Sequence, residues 1–238
     1  MLSETLCSVC PVLKAQPLCG LSDPSRASLE RWVAPLRLGH KDILFKAGQW
    51  PTYVYALREG SLKLMREEGP DGSTVVETAF PGEWVGVGAL LAKEAFTVTA
   101  EALEPSALCA IRQEEFLEHF CGDAAFNREV VRQLSVKLDQ AHTLLLMRSR
   151  HDAASRLASC LLFLDGRRPE GSPGGLAMTK ADLGQMVATA QETVFRLLAK
   201  FEKHGLLRRE DRRIVLLNRS GLEAVASNAK NTGGRRPR

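Results

Sequence analysis

Three of the chain's six cysteines fall within thirteen residues, as Cys7, Cys10 and Cys19 in the stretch CSVCPVLKAQPLC. Such a cluster is a disulfide knot, a metal or redox site, or an accident of composition. The start of the chain, MLSETLCSVC, has no basic segment leading into an apolar one, so no secretory signal is expected and the expected location is cytoplasmic. A reducing cytosol disfavours a disulfide framework. Clustered thiols there point to metal or redox chemistry. Cys121 and Cys160 stand in apolar or helical contexts and read as buried small hydrophobes, as Cys109 would on its own.

A second chemistry is carried by residues 179–207, TKADLGQMVATAQETVFRLLAKFEKHGLL. Thr179 followed by Asp182 reads as a helix N-cap with an acidic first turn, opening a short helix from Lys180 to about Val187. Thr189 with Glu192 reads as a second capping box, and Gly205 as the stop of a helix that ends near His204. Val194, Leu197, Leu198 and Phe201 form the predicted buried face of that second helix. Two helices joined by a tight turn make a helix-turn-helix, and RREDRRIVLLN beyond it predicts a β wing. The start of the second helix presents Gln191, Glu192, Phe195 and Arg196 on one face. Glutamate accepts from cytosine N4, arginine pairs with guanine O6 and N7, glutamine pairs with adenine, and an aromatic ring touches a thymine methyl. Lys180, Thr189, Lys200, Arg212 and Arg213, with Arg208 and Arg209 of the wing, suit phosphates, which position without specifying.

The elements around these residues agree with that division. Residues 1–150 hold 16 basic against 19 acidic residues, net −3, whereas residues 151–238 hold 16 against 9, net +7. The basic part is suited to a polyanion. Residues 26–37 predict a short helix from the spacing of Leu29, Trp32, Val33 and Leu36. From 38 to about 115, short β-branched runs alternate with Gly48, Gly60, Gly72 and Gly82, which predicts a small antiparallel barrel or roll. Residues 123–150 predict one long helix with an apolar stripe of Val131, Leu134, Leu138, Ala141 and Leu145, the pattern of a helix paired with a mate. The expected domains are a cysteine-rich segment over 1–25, a roll over 26–122, a dimer helix over 123–150 and a winged helix-turn-helix over 151–238. No apolar run reaches the ~18 residues of a membrane span, so no membrane partner is expected. No phosphate-binding loop, HExxH or nucleophile elbow is present, and the chain is not expected to be an enzyme.

A roll, a long helix and a winged helix-turn-helix together resemble the CRP/FNR family of bacterial transcription regulators. The residues carrying the resemblance are ILFKAGQWPTYVYALREGSLKL, FPGEWVGVGALL and the helix-turn-helix stretch, where the family's E-x-x-x-R reading motif falls on Glu192 and Arg196. The resemblance implies an α+β fold, a homodimer and a two-fold double-stranded DNA site. It also implies RNA polymerase as a partner, since the EEGPDGST hairpin stands where family members touch it. Cyclic-AMP-binding members carry Gly-Glu and Arg-Ser pairs, but here Val87 follows FPGEWVG and FTVT fills the second position, so no cyclic AMP is expected.

The FNR branch holds a 4Fe–4S cluster with three N-terminal cysteines and a fourth late in the roll. The resemblance thus implies cluster ligation by Cys7, Cys10, Cys19 and Cys109, with oxygen or nitric oxide as the signal. Zinc in a four-cysteine site, a thiol redox switch, or an effector in the roll are the alternatives. The spacing here, C-x2-C-x8-C, is three residues longer between the second and third cysteine than in the best-known members. Loop entropy makes that a small cost. The reading head departs too. Ala188 stands where Gly is usual, Ala190 where a Ser or Thr cap is usual, and Phe195 where FNR-type readers have Ser.

Overall fold

A computed structural model describes residues 32–69, 72–120, 122–150, 152–169, 174–211 and 213–227. They divide into two compact units. The first draws on the chain up to Glu67 and on Val76–Asp139, the second on Glu68–Val75 and on the chain from Gln140.

The first unit is the roll. Its strands are β1 (Val33–Leu38), β2 (Ile43–Phe45), β3 (Tyr53–Glu59), β4 (Leu62–Glu67), β5 (Ser73–Ala79), β6 (Trp84–Val85), β7 (Thr99–Ala102) and β8 (Ser106–Arg112), with a short helix α1 (Val87–Ala92). They form two four-stranded sheets, in the orders β1-β8-β3-β6 and β2-β7-β4-β5. Alternation along the strands sends side chains to opposite faces. Leu57 and Leu108 enter a core with Phe45, Leu62, Leu64, Val85, Phe96 and Ala100. Val54, Ala56 and Ile111 face the other way, into a second cluster with Trp84, Leu90, Phe116 and Val130.

The predicted helix over 26–37 is corrected where it can be seen. Residues 33–38 are strand β1, paired from Val33↔Ile111 to Leu38↔Ser106. Pro35 is the physical reason. Inside a helix it would remove a hydrogen bond and clash with the preceding turn, and it biases Ala34 to extended backbone. On the edge strand its missing N–H is harmless. The part of that expectation before residue 32 lies outside the described residues.

The long helix is present as α2 (Ala124–Arg148), one continuous run of 25 residues, or ~37 Å. After it come α3 (Ala153–Gly166), α4 (Lys180–Met186), α5 (Gln191–Lys203), the hairpin β9 (Leu207–Glu210) and β10 (Arg213–Leu216), and α6 (Arg219–Ser227). The strands β9 and β10 pair antiparallel as the wing. No helix among the described residues is long and apolar enough to cross a membrane.

Candidate nucleic-acid interface and sensor core

In the second unit the helix-turn-helix starts at Thr179. Its side chain accepts from the backbone N–H of Asp182 at 3.1 Å, while the Asp182 carboxylate accepts from the Thr179 N–H at 3.1 Å, completing the expected capping box. Helix α4 then approaches the following turn closely. A Cβ on Gly184 would lie 2.7 Å from the Thr189 carbonyl oxygen, so only glycine lets the two helices close this tightly. Helix α5 ends as expected, with Gly205 at φ +67 just beyond it.

The second capping box does not form. The N-cap of α5 is Ala190, with no side-chain cap bond. The Thr189 hydroxyl instead donates to the Val187 carbonyl at 3.2 Å and accepts from Arg156 at 2.8 Å. Ala188 sits at φ +48, so the chain turns one residue sooner and Thr189 falls outside capping reach. A non-glycine residue in this region costs roughly 1–2 kcal/mol.

Two arginines support the turn. Arg156 Nε donates to the Val187 carbonyl at 2.8 Å and Nη1 to the Arg150 carbonyl at 2.8 Å. Arg148, the last residue of α2, donates to the carbonyls of Met186 (3.0 Å) and Gln185 (2.7 Å). Together they satisfy carbonyls that the end of α4 leaves open. Sequence reasoning missed both residues, because an arginine that binds backbone has no local signature.

Val194, Leu198 and Phe201 bury one face of α5, and Leu197 is half-buried beside them. The opposite face exposes Gln191, Glu192, Phe195 and Arg196 together, with Lys180 and Lys200 exposed near them in sequence. The Lys180 ammonium lies over the Phe195 ring, 4.3 Å from its centroid, and the Arg209 guanidinium lies 5.6 Å from it. Arg209 is held by Glu202 at 2.9 Å, and its hydrogen bonds depress the Glu202 carboxyl pKa. Arg213 is half-buried and donates to the Gly175 carbonyl at 3.3 Å, while Arg208 is exposed and pairs with Glu210. Arg212 lies outside the described residues.

In the first unit, Cys109 is on the central strand β8, between Pro35 of β1 and Ala56 of β3. It is half-buried against the cluster that contains Trp84, Phe116 and Val130 of α2. Two further links tie α2 to the roll. Gln133 Oε1 accepts from the Trp84 N–H at 3.3 Å, and Lys137 pairs with Glu77 and, at 3.7 Å, with Glu83. Cys7, Cys10, Cys19 and Cys121 lie outside the described residues, and among the described residues no three possible ligands cluster. Cys160 is fully buried in α3, and burial pushes its thiol pKa up to about 12.

The stripe of Val131, Leu134, Leu138, Ala141 and Leu145 is exposed on the single chain, with Val131, Leu138 and Leu145 at 62, 58 and 65%. A cavity of about 260 Å³ opens in the roll beside α2, lined by Phe45, Trp84, Phe96, Glu77, Gln133 and Lys137 among others. Phe96 stacks on Phe45 at 3.7 Å between centroids, in the FTVT segment. The cavity has no arginine, and its one lysine is paired with carboxylates. A buried phosphate there would lack a cation partner.

Residues 35–120 match the cyclic nucleotide-binding domain model, and residues 155–225 match the Crp-like helix-turn-helix domain model. The fumarate and nitrate reduction regulatory protein of Vibrio cholerae is 30% identical over 203 residues, covering 82% of this chain and 79% of that protein. The transcriptional activator protein Anr of Pseudomonas aeruginosa is 28% identical over 227 residues, covering 91% of this chain and 92% of that one. Among solved structures, FixK2 from Bradyrhizobium japonicum superposes with a TM-score of 0.72 at 21% identity, over 81% of this chain and 96% of its own.

Proposed function

The chain belongs to the CRP/FNR family of DNA-binding transcription regulators, near the FNR branch, and we propose that it acts as a homodimer switched by a 4Fe–4S cluster held by Cys7, Cys10, Cys19 and Cys109. The observation that carries the switch is the position of Cys109. Its side chain packs against the cluster that contains Trp84 of the roll and Val130, near the start of α2. A half-buried thiolate backed by apolar side chains is a donor of the kind such a cluster takes. When bound, the cluster supplies oxygen- or nitric-oxide-sensitive chemistry.

The chain's own residues convert occupancy of Cys109 into a bias on α2. Strand β8 sits under the Val130 contact, and Gln133 and Lys137 fix the next two turns of the helix to the roll. Beyond them the exposed Leu138, Ala141 and Leu145 offer an apolar seam to a second copy. A two-fold dimer presents two α5 helices to half-sites about one helical turn, ~34 Å, apart. Gln191, Glu192, Phe195 and Arg196 read base edges. Lys180 and Lys200 meet phosphate, and the uncapped first turn of α5 offers open N–H groups to the same backbone.

Anaerobic purification with iron and acid-labile sulfide assays tests the switch. About four iron and four sulfide per chain are expected, with a visible absorption band that bleaches in air. Zinc, or no metal, would remove the cluster and leave a DNA-binding regulator that answers another signal.

A further inference from the structure

Phe195 is a large apolar side chain on the otherwise polar reading face of α5, and it is 48% exposed. It lies one turn from Gln191 and Glu192 and beside Arg196, so any base step reached by those residues passes the ring. Its surroundings are ordered. Lys180, the first residue of α4, and Arg209, in the wing strand β9, both bring a cation over the ring. Arg209 is in turn fixed by Glu202. The cations engage the negative π-face of the ring. The exposed part of the ring is apolar and has no hydrogen bond to give or accept.

An apolar ring of that kind discriminates one feature of the major groove. Every base edge there presents donors and acceptors, and the C5 methyl of thymine is the only apolar group. Cytosine methylated at C5 places the same methyl in the same position. Resting on the DNA-binding reading above, we propose that Phe195 is a specificity residue for 5-methylpyrimidines. It favours thymine over uracil at one position in each half-site, and at that position it favours 5-methylcytosine over cytosine. Binding to this site therefore responds to cytosine methylation of the DNA.

The test uses the full-length protein, purified with its metal and kept anaerobic. Bound duplexes are selected from a randomised pool, and the selected operator is resynthesised with deoxyuridine at each thymine in turn. The position that responds is then rebuilt with cytosine and with 5-methylcytosine opposite guanine. We expect uracil to weaken binding about fourfold at one position per half-site, the factor worth one buried methyl-sized group. 5-Methylcytosine should bind about fourfold tighter than cytosine there. Phe195→Ser should bind the thymine and uracil operators equally while still selecting sequences through Glu192 and Arg196. Operators that all bind within twofold after uracil replacement would overturn the proposal and leave Phe195 as a ring that only packs under its cations. Failure to select any sequence would overturn the DNA-reading role itself, which is a separate result.

Discussion

The two units use charge differently. In the roll, cations meet carboxylates: Lys63 pairs with Glu101 at 3.0 Å, and Lys137 with Glu77 and Glu83. In the second unit some arginines also meet carboxylates, as Arg209 does Glu202 and Arg208 does Glu210, but others meet backbone. Arg148, Arg156 and Arg213 all donate to main-chain carbonyls around the turn or beneath the wing. The net +7 of residues 151–238 is therefore not all available to DNA. Part of it builds the scaffold around α5, and the exposed remainder, Lys180 and Lys200 included, is the charge proposed above to meet phosphate. A charge count finds a polyanion-binding unit, but hydrogen bonds decide which cations face the polyanion.

The sharpest way to break this division is at Cys109. Cys109→Ala should lose all cluster iron and all redox dependence of operator binding, with the helix-turn-helix unit intact by circular dichroism. An unchanged redox response would remove the roll as the sensor. Next in size is Arg156→Ala. Losing charge-assisted bonds to two carbonyls and the Thr189 hydroxyl should destabilise the second unit by about 2–3 kcal/mol. It should weaken binding to every DNA sequence alike, and thermal melts together with specific and random duplexes would show this. If binding to every duplex fell with no loss of stability in the melt, Arg156 would be a phosphate contact instead.

A smaller effect separates the two kinds of exposed cation. Arg196→Ala should cost ~1–3 kcal/mol at one G·C pair and relax specificity there. Lys200→Ala should weaken all sequences equally and flatten the salt dependence by about one charge. Salt titrations on matched and mismatched duplexes distinguish the two. The effect that is smallest at neutral pH concerns Cys160, whose thiol pKa burial pushes up to about 12. Unfolded, it ionises near 8.5, so the unfolded state releases the proton first. Its contribution to stability is full below about pH 8.5 and falls as pH rises toward 12, by about 1.4 kcal/mol per pH unit. Mass mapping with a thiol reagent at pH 8 should find Cys160 unlabelled until the unit unfolds.

Much of the reading head was legible because its signals are local. The Thr179 box, the Gly205 stop and the exposed quartet on α5 each depend on spacing within a few residues. Strand β1 was misread because the apolar spacing of Trp32, Val33 and Leu36 fits a helix, while Pro35 and the pairing with β8 decide for a strand. Thr189 was misread for a related reason. Its spacing to Glu192 suits a cap, but Ala188 turns the chain one residue earlier.

By itself the sequence determined the order of the units, most of the roll's strands, the long helix with its apolar stripe, and the four side chains that face outward from α5. These follow from period, turn chemistry and caps, which act over short stretches of chain. Only the tertiary structure decided that Cys109 packs against the cluster that holds Val130 of α2, that Gln133 and Lys137 tie that helix to the roll, and that Arg148 and Arg156 hold the turn. Those contacts join residues far apart in the chain. No local pattern encodes them, because an unpaired carbonyl or a sheet face acquires its partner only when the chain closes.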